Sequence, residues 1–184
     1  MKRLSAKLLF WFMGWKVIGQ TNFPNKCLVI AAPHTSNWDF LIGRCFAYII
    51  GIIPKYLIKS ELFLPVLGTL FRWNGGIPVY RNVKNDVVNQ ITELYNSQEQ
   101  FVLGISPEGT RSKVHRWRTG FYHIALNSKI PLLLVKMDYE NKKILKPVKW
   151  SKAISNYSAR IEGVRFDNLT YEQFMIITKY SDDT

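Results

Sequence analysis

Residues 27–40 read CLVIAAPHTSNWDF, a short apolar run followed directly by a polar segment. The apolar part, 27–32, lies between two prolines and predicts a buried strand. Residues 38–53 then predict a helix, with Ser36 or Asn37 as its N-cap. A strand that leads directly into a helix is the unit from which α/β folds are built. This stretch therefore favours an α/β fold.

The same alternation continues along the chain. Hydrophobic spacing and turn residues predict further helices at 61–73, 85–97 and 119–127, and strands at 77–80, 101–105 and 130–137. The tail predicts strands at 143–150 and 159–164 and a helix at 171–180. We therefore expect a single α/β domain in which helices flank a mostly parallel, twisted sheet.

Composition limits the class of protein. Of the 184 residues, 47% are apolar and 21% are charged, which suits one folded domain and excludes a disordered chain. The two cysteines, Cys27 and Cys45, form no Cys-x-x-Cys pair, which excludes a disulfide scaffold and a cysteine-rich zinc site. Lys and Arg number 25 against 13 Asp and Glu, and the net charge of +12 favours nucleic acid, anionic lipid or a phosphorylated substrate as partner.

The N-terminal segment, residues 1–22, mixes basic and aromatic residues and contains no acid. Its apolar run is too short to cross a bilayer, which needs about 20 apolar residues. We predict an amphipathic helix at a membrane interface, with Trp11, Phe12 and Trp15 among the headgroups and the lysines on anionic lipid. An ordinary first helix packed on the core is the alternative. A second apolar run, 45–53, predicts a buried helix or one that lines a lipid-facing groove.

The segment after the first predicted strand carries a histidine and an aspartate five positions apart, His34 and Asp39. On a regular helix this spacing is about 140° of rotation, so the two side chains meet only if the chain turns between them. An aspartate that accepts the proton of one imidazole nitrogen leaves the other nitrogen free to act as a general base. The alternative is a histidine that makes only local hydrogen bonds at a helix start.

Two further segments follow predicted strands or turns. Residues 106–112, SPEGTRS, place Arg111, whose planar guanidinium suits a phosphate, beside Glu108, which we expect to bind backbone N–H groups or Arg111. A solvated basic turn is the alternative. Residues 75–81, GGIPVYR, bring Arg81 to the end of a strand. The glycine spacing before Thr110 is that of a P-loop, but the required lysine is missing.

Taken in order, these segments resemble the glycerolipid acyltransferase family typified by lysophosphatidate (1-acylglycerol-3-phosphate) acyltransferases. The family pattern is His-x-x-x-x-Asp, Gly-x-Ile-x-x-x-Arg, Glu-Gly-Thr-Arg and an apolar block with proline. The matching residues here are His34 to Asp39, Gly75 to Arg81, Glu108 to Arg111, and 130–135 with Pro131. The last block lacks the second proline of many members, which concerns donor preference more than chemistry.

The resemblance implies transfer of an acyl group from acyl-CoA or acyl carrier protein to the hydroxyl of a lysophospholipid. His34 would be the base and Asp39 its orienting partner, in an acyltransferase domain that spans 23–184. Acceptor binding would fall to Arg81, Glu108, Gly109, Thr110 and Arg111, with the arginines on the phosphate. No metal or bound cofactor is implied. From the basic and aromatic N-terminal segment we also expect a peripheral or monotopic protein on an anionic membrane surface, at the cytoplasmic face, without a nucleic-acid partner.

Two alternatives stay open at this level. The acceptor could be another lysolipid or a polyol that reacts by the same chemistry. Alternatively, the charge alone would suit a non-catalytic basic protein that binds membranes or nucleic acid. His115 and Trp117, which follow the third block, could shape an acceptor pocket or be a surface and a core residue.

Overall fold

The structure is a computed structural model that describes residues 2–18, 23–32, 34, 36–80, 86–110, 114, 117–145 and 148–149. Within these residues the helices are Lys2–Met13 (α1), Trp38–Ile50 (α2), Pro65–Trp73 (α3), Asp86–Ser97 (α4) and Gly120–Ser128 (α5), with a 3-10 turn at Ser60–Leu62. The strands are Lys16–Ile18 (β1), Lys26–Ala32 (β2), Lys55–Lys59 (β3), Gly76–Val79 (β4), Phe101–Ile105 (β5), Leu132–Asp138 (β6), Lys143–Leu145 (β7) and Val148–Lys149 (β8).

The strands form one mostly parallel sheet in the order β1-β7-β6-β2-β5-β3-β4, with β8 paired to β6. The pairs β1–β7, β2–β5, β2–β6, β3–β4 and β3–β5 are parallel, whereas β6 pairs antiparallel with β7 and β8. The predicted α/β class and mostly parallel sheet are therefore confirmed. The strand predicted at 159–164 and the helix predicted at 171–180 lie outside the described residues.

The central strand β2 is buried on both faces, as its apolar run predicts. Leu28, Ile30 and Ala32 pack in a core with α4 and α5. Cys27 and Val29 alternate with them and pack in a second core with α1 and α2. Because side chains alternate across a strand, the two cores lie on opposite faces of the sheet. The sheet therefore separates α5 from α1 and α2.

The N-terminal helix α1 is packed on this second face. Ala6 and Phe10 are buried in the core with α2, and Trp15 joins them just before β1. The prediction that Trp15 lies among the headgroups is therefore wrong, because its ring packs against Phe10 and Tyr139. Leu9 and Met13 are partly buried against the same core, whereas Leu4, Leu8, Trp11 and Phe12 are exposed. Among the described residues no helix has the length and apolar content to cross a bilayer. The division at residue 22 stays a prediction.

Several elements differ from the predictions. The strand predicted at 143–150 consists of two short strands, β7 and β8. The sequence does not predict β1, which has only three residues, or β3, whose short apolar run lies between two lysines. Pairing with β7 makes β1 a strand, and pairing with β4 and β5 makes β3 a strand. The helix predicted at 38–53 ends at Ile50, since Gly51 adopts a left-handed φ of 84°. The helix predicted at 61–73 begins only at Pro65, whose missing N–H suits the first helical position.

Candidate active site

The parallel register brings the carboxyl ends of three strands to one edge of the sheet. Ile30 of β2 pairs with Ile105 of β5, and Ala32 of β2 pairs with Lys136 of β6. The chain segments that follow β2, β5 and β6 therefore emerge side by side. Such an edge is where α/β sheets place their sites.

The histidine and aspartate predicted as a pair lie in contact. The chain turns after β2 and α2 begins at Trp38, so that His34 Nδ1 is 3.0 Å from Asp39 Oδ2. The Asp39 side chain is 2% exposed and that of His34 is 31% exposed. An ionised carboxylate can only accept, so His34 donates from Nδ1 and keeps the lone pair of Nε2 free. The pair can therefore work as a general base with an orienting partner.

Two further donors hold the Asp39 carboxylate. The Ser36 backbone N–H donates to Asp39 Oδ2 at 2.9 Å, and the Tyr139 hydroxyl donates to Oδ1. Burial raises the pKa of Tyr139, and the Asp39 carboxylate raises it further, so the phenol stays protonated and remains a donor. These bonds fix the orientation of the carboxylate that faces His34.

Tyr139 is a site residue that the sequence did not reveal. It follows β6 and its ring packs edge-on against Trp15, with centroids 5.2 Å apart. A tyrosine directly after a strand carries no motif of its own. The signal that finds it is the pairing of β6 with β2, which places the residue after β6 next to the start of α2.

Glu108 connects the segments that follow β2 and β5. Its carboxylate Oε2 accepts the backbone N–H of His34 at 2.8 Å, and its side chain is buried. The expectation that Glu108 binds a backbone N–H group is thus met, by a residue 74 positions away. Burial raises the pKa of Glu108, although the hydrogen bond from the His34 N–H opposes that rise.

Glu108→Gln and Glu108→Ala separate the hydrogen bond from the charge. Gln keeps an oxygen for the His34 N–H, whereas Ala leaves this N–H unpaired, which costs about 1–3 kcal/mol of unfolding free energy. The folded protein holds the Glu108 proton more tightly than the unfolded chain does. The wild type therefore loses stability as pH rises from the ordinary value of 4.5 through the raised pKa. Gln should remove this slope.

Urea unfolding at several pH values checks both statements. Equal destabilisation by Gln and Ala at neutral pH would contradict the role given to the hydrogen bond. A pH slope that persists in Glu108→Gln would show that other groups produce it.

The loop after β5 makes its turn at Gly109, which has a left-handed φ of 64°. A Cβ at this position would lie 2.9 Å from the Arg118 Nε atom, so Arg118 packs directly against the loop. Arg118 is also tied to the loop by its backbone N–H, which donates to the Pro107 carbonyl at 3.0 Å. The positively charged side chain of Arg118 therefore lies beside Gly109.

A cavity of about 790 Å³ opens beside the His34–Asp39 pair (the dyad), between α2 and the sheet. His34, Asp39, Ser106, Gly109 and Thr110 line its polar end. The remaining wall is mostly apolar and includes Phe23, Val29, Phe46, Ala47, Val135 and Met137. A mostly apolar cavity with a few convergent polar groups is the usual form of a small-molecule site.

A buried arginine belongs to the same wall. Arg44 is 7% exposed, and its guanidinium donates to the carbonyls of Pro54 and Asn74, each at 2.8 Å. It also donates to Asn74 Oδ1 at 2.7 Å and lies over the rings of Tyr48 and Tyr56. Arg44 therefore ties the middle of α2 to the segments before β3 and β4.

The structure does not reach all of the predicted site residues. His34, Asp39, Glu108, Gly109 and Thr110 lie around one cavity or support it. Arg81, Arg111 and His115 lie outside the described residues. Trp117 is buried in the core that contains α4 and α5, with its ring 6.2 Å from that of Phe121. For Trp117 the core interpretation is therefore confirmed.

Comparisons with known proteins find relatives that are named as acyltransferases. The chain is 29% identical over 128 residues to a 1-acyl-sn-glycerol-3-phosphate acyltransferase of Saccharomyces cerevisiae, covering 65% of this chain and 41% of the relative. It is 29% identical over 125 residues to the enzyme of that name from Escherichia coli, covering 63% and 49%. The chain thus spans less than half the length of both relatives.

A solved structure shares the fold. The 1-acyl-sn-glycerophosphate acyltransferase PlsC of Thermotoga maritima superposes with a TM-score of 0.54 at 17% identity, over 99% of this chain and 77% of that one. A family model described as Acyltransferase matches residues 14–137, a stretch that begins before β1 and ends within β6. Because this match covers more than half of the chain, the protein belongs to the acyltransferase family.

Proposed function

We propose that this protein transfers a fatty acyl group from a thioester donor, acyl-CoA or acyl carrier protein, to a lysophospholipid such as 1-acylglycerol-3-phosphate. The observation that carries the proposal is the His34–Asp39 pair at the mouth of a mostly apolar cavity. A base with an orienting carboxylate suits activation of a hydroxyl, and the apolar wall suits an acyl chain. Two relatives named for lysophosphatidate acylation support the substrate class.

The reaction needs one proton relay and no covalent enzyme intermediate. Nε2 of His34 takes the proton of the acceptor hydroxyl as its oxygen attacks the thioester carbonyl carbon. Asp39 stabilises the resulting imidazolium and keeps Nδ1 protonated. The tetrahedral intermediate then expels the thiolate, which takes the proton from His34. The products are the ester and the free thiol, and neither a metal nor a bound cofactor takes part in the proposed reaction.

The acceptor phosphate is assigned to cations that follow β4 and β5. Arg81 and Arg111 occupy the arginine positions of the family pattern, and a planar guanidinium suits a phosphate. Arg118, packed against Gly109, adds positive charge beside the same loop. In this proposal Glu108, Gly109 and Thr110 shape the loop that presents these cations.

The acyl chain is assigned to the apolar part of the cavity, where Gly43 offers a test. Gly43 lies on α2 in the cavity wall, and a Cβ there would meet no atom within 4 Å. Gly43→Leu should therefore fill space that a long chain needs, and replacing a mid-helix glycine does not weaken α2. We expect kcat/KM to fall about tenfold or more for long-chain donors and to change little for short ones.

A donor series from short to long acyl chains measures this selectivity. Gly120→Leu on α5 is the matched control, since a Cβ there also meets nothing within 4 Å. A uniform loss across all chain lengths would place the acyl chain elsewhere.

The proposal also includes membrane contact and a place at the cytoplasmic face of the membrane. Exposed Trp11 and Phe12 on α1, together with Lys2, Arg3 and Lys7, form the mixed basic and aromatic surface of an interfacial helix. Anionic lipid would then bring the protein to the surface that holds both amphiphilic substrates. Binding to phosphatidylglycerol vesicles and not to neutral ones tests this contact.

An acyl-transfer assay with purified protein tests the proposal. Palmitoyl-CoA, and in a parallel reaction palmitoyl acyl carrier protein, is incubated with 1-acylglycerol-3-phosphate in mixed micelles, and mass spectrometry looks for phosphatidic acid. Phosphatidic acid supports the proposed acceptor. If an acceptor panel yields product only with another lysolipid or a polyol, that compound is the acceptor and the proposed reaction chemistry still holds. No transfer from either donor class, with salt-sensitive DNA binding instead, would favour the non-catalytic alternative.

A further inference from the structure

Helix α3 turns its apolar side chains towards the outside of the molecule. Val66, Leu67, Leu70 and Trp73 share one face of the helix, and Val66 and Trp73 are 81% and 70% exposed. Only Gly68 of this helix is buried. Surface helices of soluble domains normally present the opposite pattern, with the polar face outward. Exposed apolar patches of this kind mark interaction surfaces.

The first helix has the same character and meets α3 at one end. Its exposed apolar residues recur at the spacing of one helix face and are Leu4, Leu8, Trp11 and Phe12. The Lys2 ammonium lies 4.4 Å from the centre of the Trp73 ring, so the start of α1 touches the end of α3. The start of α1 and the end of α3 therefore adjoin on the molecule.

The charges beside these faces indicate what covers them. Neither α1 nor α3 contains an acidic residue, and Lys2, Arg3, Lys7 and Arg72 are exposed on them. An apolar face with basic neighbours complements an anionic bilayer, where side chains enter the acyl boundary and cations meet headgroups. We propose that the outward face of α3, with α1, docks this protein on an anionic membrane. This deepens the proposed function by giving the membrane contact a second helix.

The same helix end is joined to the wall of the cavity. Asn74, which follows α3, accepts hydrogen bonds from Arg44, and Arg44 also binds the carbonyl of Pro54. Both Arg44 and Pro54 line the cavity. Docking through α3 therefore brings this wall close to the lipid from which amphiphilic substrates must come. A contact through α1 alone would not require this wall of the cavity to lie near the lipid.

The first test replaces apolar residues of the α3 face with acids. The double variant Val66→Glu/Leu70→Glu in the full chain is co-sedimented with phosphatidylcholine vesicles that contain phosphatidylglycerol. We expect vesicle affinity to fall at least about tenfold, because an acid at the acyl boundary is strongly disfavoured. Leu126→Glu is the matched control: it is an exposed leucine on α5, across the sheet, and should bind as the wild type does.

A second measurement does not depend on loss of binding. The chain has two cysteines, Cys27 and Cys45, and both are buried, so Val66→Cys and Leu126→Cys give selective labelling sites. A nitrobenzoxadiazole label at residue 66 should shift its emission to the blue and brighten when anionic vesicles are added. The same label at residue 126 should not change.

The outcomes separate this proposal from the acyltransferase assignment. Vesicle binding is measured without substrate, so a protein that fails to transfer acyl groups still tests the α3 face. Wild-type binding by the Glu variant, with an unchanged label at residue 66, would overturn the proposal and leave α1 as the contact. Light scattering that shows a dimer dissociated by Val66→Glu/Leu70→Glu, with vesicle binding intact, would overturn it in favour of self-association.

Discussion

His34→Ala is expected to lower kcat on the order of 10²- to 10⁴-fold, which is the usual contribution of a general base. The imidazole is the group that would accept the proton of the acceptor hydroxyl, and alanine offers no replacement. The fold should survive, because Glu108 binds the backbone N–H of His34 and not its ring. The KM values for donor and acceptor should change little.

The assay follows phosphatidic acid by mass spectrometry, with His123→Ala as the matched control. His123 is exposed on α5 and does not line the cavity, so its loss should leave the rate unchanged. A near-normal rate in His34→Ala would remove His34 from the mechanism. Urea unfolding of both variants shows whether a lower rate reflects a smaller fraction of folded protein.

Asp39→Asn is expected to lower kcat about 10²- to 10³-fold, by removing the charge that stabilises the imidazolium. Asparagine can direct its NH₂ group at the Tyr139 oxygen, since a phenol also accepts. Its single oxygen then still accepts from the Ser36 N–H and from His34 Nδ1. The orientation of His34 would thus persist while the negative charge is lost. The effect should appear in kcat and spare both KM values.

Tyr139→Phe tests the hydrogen bond that the Tyr139 hydroxyl donates to the Asp39 carboxylate. It keeps the ring that packs against Trp15 and removes only the hydroxyl, so we expect a smaller loss of kcat, about tenfold. Tyr122→Phe, on α5, is the control. The two site substitutions should not be additive, because both act on one carboxylate. Full additivity, or a KM change without a kcat change, would contradict a role in holding the carboxylate.

Much of the fold follows from local patterns. The apolar run of β2 and the 3.6-residue spacing of α4 predicted their elements to within about one residue. The strand β3 was missed because its half-buried residues, KYLIK, alternate too weakly to mark a buried face. Only its pairing with β4 and β5 supplies the hydrogen bonds that make it a strand.

The candidate site divides in the same way. The contact between His34 and Asp39 could be anticipated because both residues belong to one turn between a strand and a helix. Glu108 and Tyr139 could not be placed, since they lie 74 and 100 positions from their partners. Their positions depend on which strands are neighbours and in what register, and these depend on distant backbone pairing.

By itself the sequence determined the alternation of strands and helices, the pairing of His34 with Asp39, and the basic, aromatic character of the N-terminus. Hydrophobic periodicity and turn chemistry act within a few residues, so these features can be seen in the sequence. The tertiary structure alone decided that Glu108 and Tyr139 hold the dyad, that the cavity opens under α2, and that α3 faces outward. Periodicity identifies an apolar face, but packing between distant segments decides whether protein or solvent lies against it.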